Sequence, residues 1–146
     1  MKSKKAMEKL EKIRAVTQPY LIVRGGMQPT VLPSVYPTSE LSEILVETMN
    51  MPEINVRPGT KLLDYGCGTG FLGIHGAQRG ASVTCTDVNP AAIECAKANA
   101  RSLLPENEIR WRCGRNLICL EPQDGPFDVI YAGMPWDNDQ PIDMLS

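Results

Sequence analysis

Apolar and polar positions change their period along this chain, and each change marks an element. Over residues 4–16, Met7, Leu10, Ile13 and Val16 recur at helical spacing with lysines between them, the pattern of an amphipathic helix with a solvated basic face. Residues 18–37 lose that period. They are rich in Pro and Gly, with apolar patches at Tyr20–Val23 and Val31–Leu32, and read as short strands or extended chain. A helix starts again near Ser39, which can cap it. Glu40 and Glu43 suit its positive end, and Leu41, Ile44, Leu45, Thr48 and Met49 share one face. Pro52 and the Arg57-Pro58-Gly59 turn end this preface.

Beyond residue 60 the pattern becomes strand, helix, strand, helix. Lys61–Tyr65 predicts a short apolar strand, followed by a glycine loop and a helix over about residues 71–79, stopped at Gly80. Ser82–Thr86 alternates and is β-branched, a second strand. Asn89 caps the next helix with Pro90 at its first position, and an Ala-rich run carries it to Leu104. Glu108–Cys113 and Phe127–Ala132 are the third and fourth strands, the latter entered through a Gln123-Asp124-Gly125-Pro126 turn. Strands alternating with helices of this length predict an α/β fold, a doubly wound parallel sheet with right-handed crossovers.

Composition narrows the class without naming it. The 146 residues suffice for one domain, divided into a preface over 1–57 and a sheet domain over 58–146. A net charge of −2 gives no global pull toward nucleic acid or an anionic membrane, so neither is an expected partner. No apolar run reaches the roughly 20 residues of a membrane span, and no signal-peptide core follows the basic N-terminus, so the expected location is cytoplasmic. Cys67, Cys85, Cys95, Cys113 and Cys119 contain no Cys-x-x-Cys pair, and His75 is the single histidine. The expectation is reduced, mostly buried thiols and no metal.

In a doubly wound sheet, ligands bind beyond the carboxyl ends of the strands where the strand order reverses. Gly66, Gly68 and Gly70 fall where the first strand turns into a helix, and glycine there tolerates positive φ and lets a ligand lie against the backbone. Asp87 ends the second strand, where a carboxylate can accept from a ribose diol. Together they predict an adenosine-containing cofactor. The segment Gly68–Gly73 also satisfies the dinucleotide Gly-x-Gly-x-x-Gly pattern, which leaves an NAD-dependent oxidoreductase as a competitor. Asp64 argues against it, because a negative charge there repels a pyrophosphate and favours a ligand bearing a sulfonium and an ammonium group.

Leu62-Leu63-Asp64-Tyr65-Gly66-Cys67-Gly68-Thr69-Gly70 resembles the first motif of class I S-adenosylmethionine-dependent methyltransferases. Thr86-Asp87-Val88-Asn89-Pro90 is similar to the second, which would put Asp87 on the ribose and Val88 against the adenine. Phe127 to Trp136 stands where the family carries its fourth-strand motif, nearest to the Asn-Pro-Pro-Tyr group that includes release-factor glutamine methyltransferases and adenine-N6 enzymes. Val35 to Glu40 resembles the segment that lies over the cofactor's methionine end in that group, with Thr38 in the lid. The resemblance implies S-adenosylmethionine as cofactor, held by Thr38, Asp64, Tyr65, Gly66, Cys67, Gly68, Gly70, Asp87, Val88, Asn116 and Gly133. Asn116 enters as the nearest side-chain acceptor for the adenine amino group, in place of the acidic residue often found after the third strand.

The acceptor side departs from that pattern. Gly133 and Met134 replace the Asn-Pro that grips a target amide, while Pro135 and Trp136 match the Pro-aromatic end. Met134, Pro135 and Trp136 are the candidate substrate-binding residues, and the acceptor becomes an amine or other heteroatom nucleophile on a protein or small molecule. No proton-transfer residue is named, since methyl transfer is largely a matter of in-line positioning. The family's sheet runs 3-2-1-4-5-7-6. This sequence supplies strands 3-2-1-4, which leaves the fourth at an edge and predicts a fragment, or a sheet completed by a second copy or partner subunit. A non-catalytic cofactor-binding or scaffold subunit is the remaining alternative.

Overall fold

The computed structural model describes residues 4–15, 17–24, 26–132, 136–137 and 140–141. The elements run α1 (Lys4–Arg14), β1 (Tyr20–Leu21), β2 (Thr30–Val31), α2 (Glu40–Thr48), β3 (Lys61–Tyr65), α3 (Phe71–Gln78) and β4 (Ser82–Asp87). They continue as α4 (Pro90–Leu103), β5 (Arg110–Cys113), a 3-10 turn (Asn116–Cys119), β6 (Val129–Ala132), β7 (Trp136–Asp137) and β8 (Gln140–Pro141). The central sheet has the order β5-β4-β3-β6 with every neighbouring pair parallel, the 3-2-1-4 order predicted from the sequence. The register sets Leu62 between Val83 and Val129, and Asp64 between Cys85 and Tyr131.

Two-residue alternation sends Leu62, Asp64, Val83 and Cys85 toward α3. The helix sits close because its facing residue is Gly73, where a Cβ would run into the Cys85 thiol and lie 3.2 Å from Asp64 Oδ2. Leu62, Phe71, Ile74, Val83, Cys85, Ile93, Ala96 and Ala100 form one buried core, with each large aliphatic side chain contributing about 1.5–3 kcal/mol. The preface joins it: Met27, Val46, Met49 and Val56 are buried in the same cluster. Thr48 Oγ1 also meets the buried Tyr131 hydroxyl at 2.7 Å, tying α2 to β6.

Arg112 pairs with Thr86 in the register and so alternates away from α3. On that face it grips the buried Asp124 through two hydrogen bonds of 2.8 and 2.9 Å, and Lys61 Nζ donates to Gly125 O at 3.3 Å. The β5–β6 connection is thus fastened across the second face of the sheet. The Arg112 guanidinium holds the Asp124 carboxyl below its ordinary range. Among the described residues β6 is an edge strand, and Ile130 on it is 58% exposed.

Local details differ from the periodicity reading. On α2 the buried face is Val46 and Met49 with Leu45 beside them, whereas Leu41 and Ile44 are exposed. Helical spacing admits two overlapping stripes, and contact with α3 and Tyr131 selects one. On α1, Leu10 is buried and Met7 exposed, and Val16 lies outside the described residues. Ser39 stands at the N-cap of α2 without a side-chain hydrogen bond, while Asn89 caps α4 through Ala91 N at 3.0 Å. Trp136–Asp137 of β7 pairs antiparallel with Gln140–Pro141 of β8.

Candidate functional site

The carboxyl ends of β3 and β4 carry the features singled out in the sequence. Beyond Tyr65, the amides of Gly66 and Cys67 both donate to Thr86 O, at 2.9 and 2.8 Å, so the loop is pinned to β4 as it leaves the sheet. It then closes on itself through Gly70 N to Cys67 O at 2.8 Å. Gly66, Gly68 and Gly70 have φ of 76°, 54° and 83°, the left-handed region where a side chain is strained. The two outer functions of glycine separate here. At Gly68 a Cβ would meet nothing nearer than Tyr36 O at 3.8 Å, so its missing side chain leaves open space beside the backbone. At Gly70 a Cβ would lie 2.9 Å from Ala96 Cβ, so that glycine is demanded by the packing of α4.

Two carboxylates frame this loop. Asp87, half-buried at the end of β4, accepts from Gly68 N at 3.0 Å through Oδ2 and from Asn89 N at 2.9 Å through Oδ1. Burial raises its pKa, and the backbone donors work against that rise. Asp64 is 1% exposed, and its Oδ2 accepts from Gly73 N at 2.8 Å. Burial pushes its pKa up to about 7, opposed by the Gly73 amide and reinforced by the nearby Asp87 charge. A buried carboxylate this close to neutrality takes its full charge only when a cation or donor faces it.

The extended preface segment lies over the loop. Thr38 Oγ1 and Thr69 Oγ1 share a buried hydrogen bond of 2.6 Å, and Asn89 Nδ2 reaches Ser34 O at 2.9 Å. The adenine-side candidates also gather at the strand ends. Val88 follows Asp87, Gly114 N donates to Asp87 O at 3.1 Å, and Asn116, exposed and with φ 54°, opens the 3-10 turn. Cys67 is buried, and its hydrogen bond with Cys85 together with desolvation pushes its thiol up. Gly133, Met134 and Pro135 lie outside the described residues, and Trp136 is placed only as part of β7.

Sequence reasoning missed two members of this arrangement. Thr69 stands inconspicuously between two glycines, although it is 3% exposed and bonded to Thr38. Asn99 falls within the Ala-rich run of α4, yet it is 3% exposed and bonded to both Thr30 and Thr69. Its signal was present: a lone amide on the Ala92–Cys95–Ala96–Ala100 face of α4 has to find partners indoors.

His75 sits in the core, edge-on to Phe71 with ring centroids 4.6 Å apart. Burial and the Arg79 charge lower its pKa to about 4, so it stays a neutral packing residue. A cleft of about 750 Å³ lined by Arg57, Thr60, Asp128 and Ile130 opens at the opposite, amino-terminal ends of β3 and β6, away from the glycine loop.

Comparison with known proteins gives this geometry a context. A family described as "Methyltransferase domain" matches residues 62–144. A ribosomal protein L11 methyltransferase of Burkholderia cenocepacia is 36% identical over 87 residues, covering 59% of this chain and 27% of that protein. The chain therefore spans about a quarter of the length of the curated relatives it matches. A Thermus thermophilus 16S rRNA N2 G1207 methyltransferase in complex with AdoMet and guanosine shares the fold, with TM-score 0.68 over 83% of this chain and 33% of that one, at 20% identity. A magnesium protoporphyrin IX methyltransferase from Synechocystis PCC 6803 with bound SAH is 27% identical, with TM-score 0.51 over 62% of this chain and 39% of that one.

Proposed function

The chain belongs to the methyltransferase-domain family, and on that premise we propose that it forms the S-adenosylmethionine-binding part of a methyltransferase. The observation that carries the reading is Asp87 locked to the Gly68 amide at the carboxyl end of β4, beside a loop with open space at Gly68. Accepting two backbone amides orients the carboxylate, and its free lone pairs suit the vicinal hydroxyls of a ribose. Tyr65, Gly66, Cys67 and Gly68 present backbone to the methionine and ribose, while Gly70 sets the turn. Val88 and Asn116 border the adenine, and Asp64 favours the cationic end. Thr38 closes the strap over the loop. Relatives that bind AdoMet or SAH support the cofactor.

When bound, S-adenosylmethionine supplies an electrophilic methyl group on a sulfonium centre. The chain's own contribution is to fix the cofactor's orientation and leave the methyl accessible to a nucleophile approaching in line. No described side chain is assigned a proton-transfer role, since His75 is neutral and packed in the core. The acceptor is an amine or other heteroatom nucleophile. The L11 methyltransferase relatives favour one on a protein. Gly133 would adjoin the cofactor, and Met134, Pro135 and Trp136 would border the acceptor. A cytoplasmic location accords with the absence, among the described residues, of any helix long and apolar enough to cross a membrane.

Calorimetric titration of the chain with S-adenosylhomocysteine, beside an Asp87→Ala variant, tests the proposal. Binding by the wild type that the substitution weakens at least tenfold supports it. A folded wild type that shows no binding, or a variant with equal affinity, refutes it.

A further inference from the structure

Asn99 is the one amide on the apolar face that α4 turns toward the glycine loop, and it is 3% exposed. Its Nδ2 donates to Thr69 O at 2.9 Å and to Thr30 O at 2.8 Å, and its Oδ1 accepts from Thr30 N at 2.8 Å. Towards Thr30 the side chain thus behaves like a neighbouring strand, exchanging both a donor and an acceptor with the backbone of one residue. Its second amide hydrogen goes to the loop. We propose that Asn99 is a positioning residue of the cofactor site, clipping the preface strap and the glycine loop into one preorganised unit. This inference rests on the cofactor reading given above.

The chemistry of the side chain makes the choice specific. The site needs two donors and one acceptor in a single plane at this reach. Aspartate has the acceptor but no donors, leucine has neither, and glutamine is a methylene too long. The Thr69 peptide sits between Gly68, whose amide is held by Asp87, and Gly70, whose φ is 83°. Asn99 holds its carbonyl while Thr38 holds its hydroxyl at 2.6 Å. Residue 69 is therefore gripped from helix α4 and from the strap at once. Because Thr30 and Thr38 belong to the same preface, a movement of that segment is transmitted to the loop peptide that lies between the two functional glycines. Preorganisation of this kind acts on affinity by removing the cost of ordering the loop on binding.

The test is affinity for S-adenosylhomocysteine measured by calorimetry on the wild type, Asn99→Ala, Thr38→Val and the double variant, with amide hydrogen exchange on each. Asn99→Ala is expected to weaken binding about tenfold. It should speed exchange at the Thr30 amide while the amides of β3 keep their protection. Thr38→Val is expected to weaken binding too, and the double variant to lose less than the product of the two, since both act through Thr69. Wild-type affinity in Asn99→Ala overturns the inference, as does a rise in exchange that is equal in β3, which would mark a general packing role. If Asn99→Ala does not fold, unchanged affinity in Thr38→Val is the overturning result. Failure of the wild type to bind refutes the cofactor reading itself, and is told apart because no variant is needed to see it.

Discussion

The Asp64 carboxyl has a cost that can be measured. Its pKa in the fold is pushed up to about 7 by burial, against an ordinary value of 3.8. Between those values the native state holds a proton that the unfolded chain has released, so stability falls as pH rises. The slope is about 1.4 kcal/mol per pH unit, which over the window amounts to at most about 4 kcal/mol. Asp64→Asn removes the ionisation and keeps an acceptor for the Gly73 amide, which lies 2.8 Å from Oδ2. Its new NH₂ group adds a penalty of about 1–3 kcal/mol, but that penalty is the same at every pH. The variant should therefore gain on the wild type as pH rises, the difference between them swinging by up to about 4 kcal/mol from pH 4 to pH 8. Urea unfolding of both proteins at half-unit intervals reads that difference directly, and titrating groups that are not coupled to Asp64 cancel in the subtraction. Parallel stability curves would refute the reasoning, since they would mean that Asp64 ionises in the fold without a desolvation penalty.

Other perturbations separate the remaining physical causes. Gly70→Ala combines a left-handed φ with a Cβ 2.9 Å from Ala96, whereas Gly59→Ala has φ 94° and nothing within 4 Å. Strain alone costs about 1–2 kcal/mol and overpacking a further 1–3 kcal/mol, so thermal unfolding should place Gly70→Ala clearly below Gly59→Ala. Equal melting temperatures would dismiss the α4 contact. His75 acts on pH in the opposite direction from Asp64. Its pKa is lowered to about 4, so the stability present above 6.5 is lost as pH falls from there toward 4. Because Asp64 acts with opposite sign over much of the same window, the loss is read from the difference between wild type and His75→Phe in urea titrations, which should shift against the wild type as pH falls from 6.5 toward 4, and a difference that does not change with pH would refute it.

Much of the fold was legible because it depends on local chemistry. Val83, Thr84 and Thr86 are β-branched in an alternating run, Asn89-Pro90 starts a helix by capping and a preset φ, and the glycines after Tyr65 permit a sharp left-handed turn. Such signals act over a few residues, so the order of strands and helices, and Asp87 at a strand's carboxyl end, follow from the chain alone. The tertiary structure decided what depends on partners distant in sequence. Which stripe of α2 is buried was settled by Tyr131, 83 residues from Thr48. The Gly70 requirement came from Ala96, and the protonation of Asp64 from the helix and strands packed around it. Asn99 is the clearest case. Its composition marks it only as a polar interruption of an apolar face, and its part in the site exists because folding brings Thr30 and Thr69, 69 and 30 residues away, within bonding distance of one amide. Burial is a collective property of the packed chain, and a polar group's role is set by what burial leaves it to bond with.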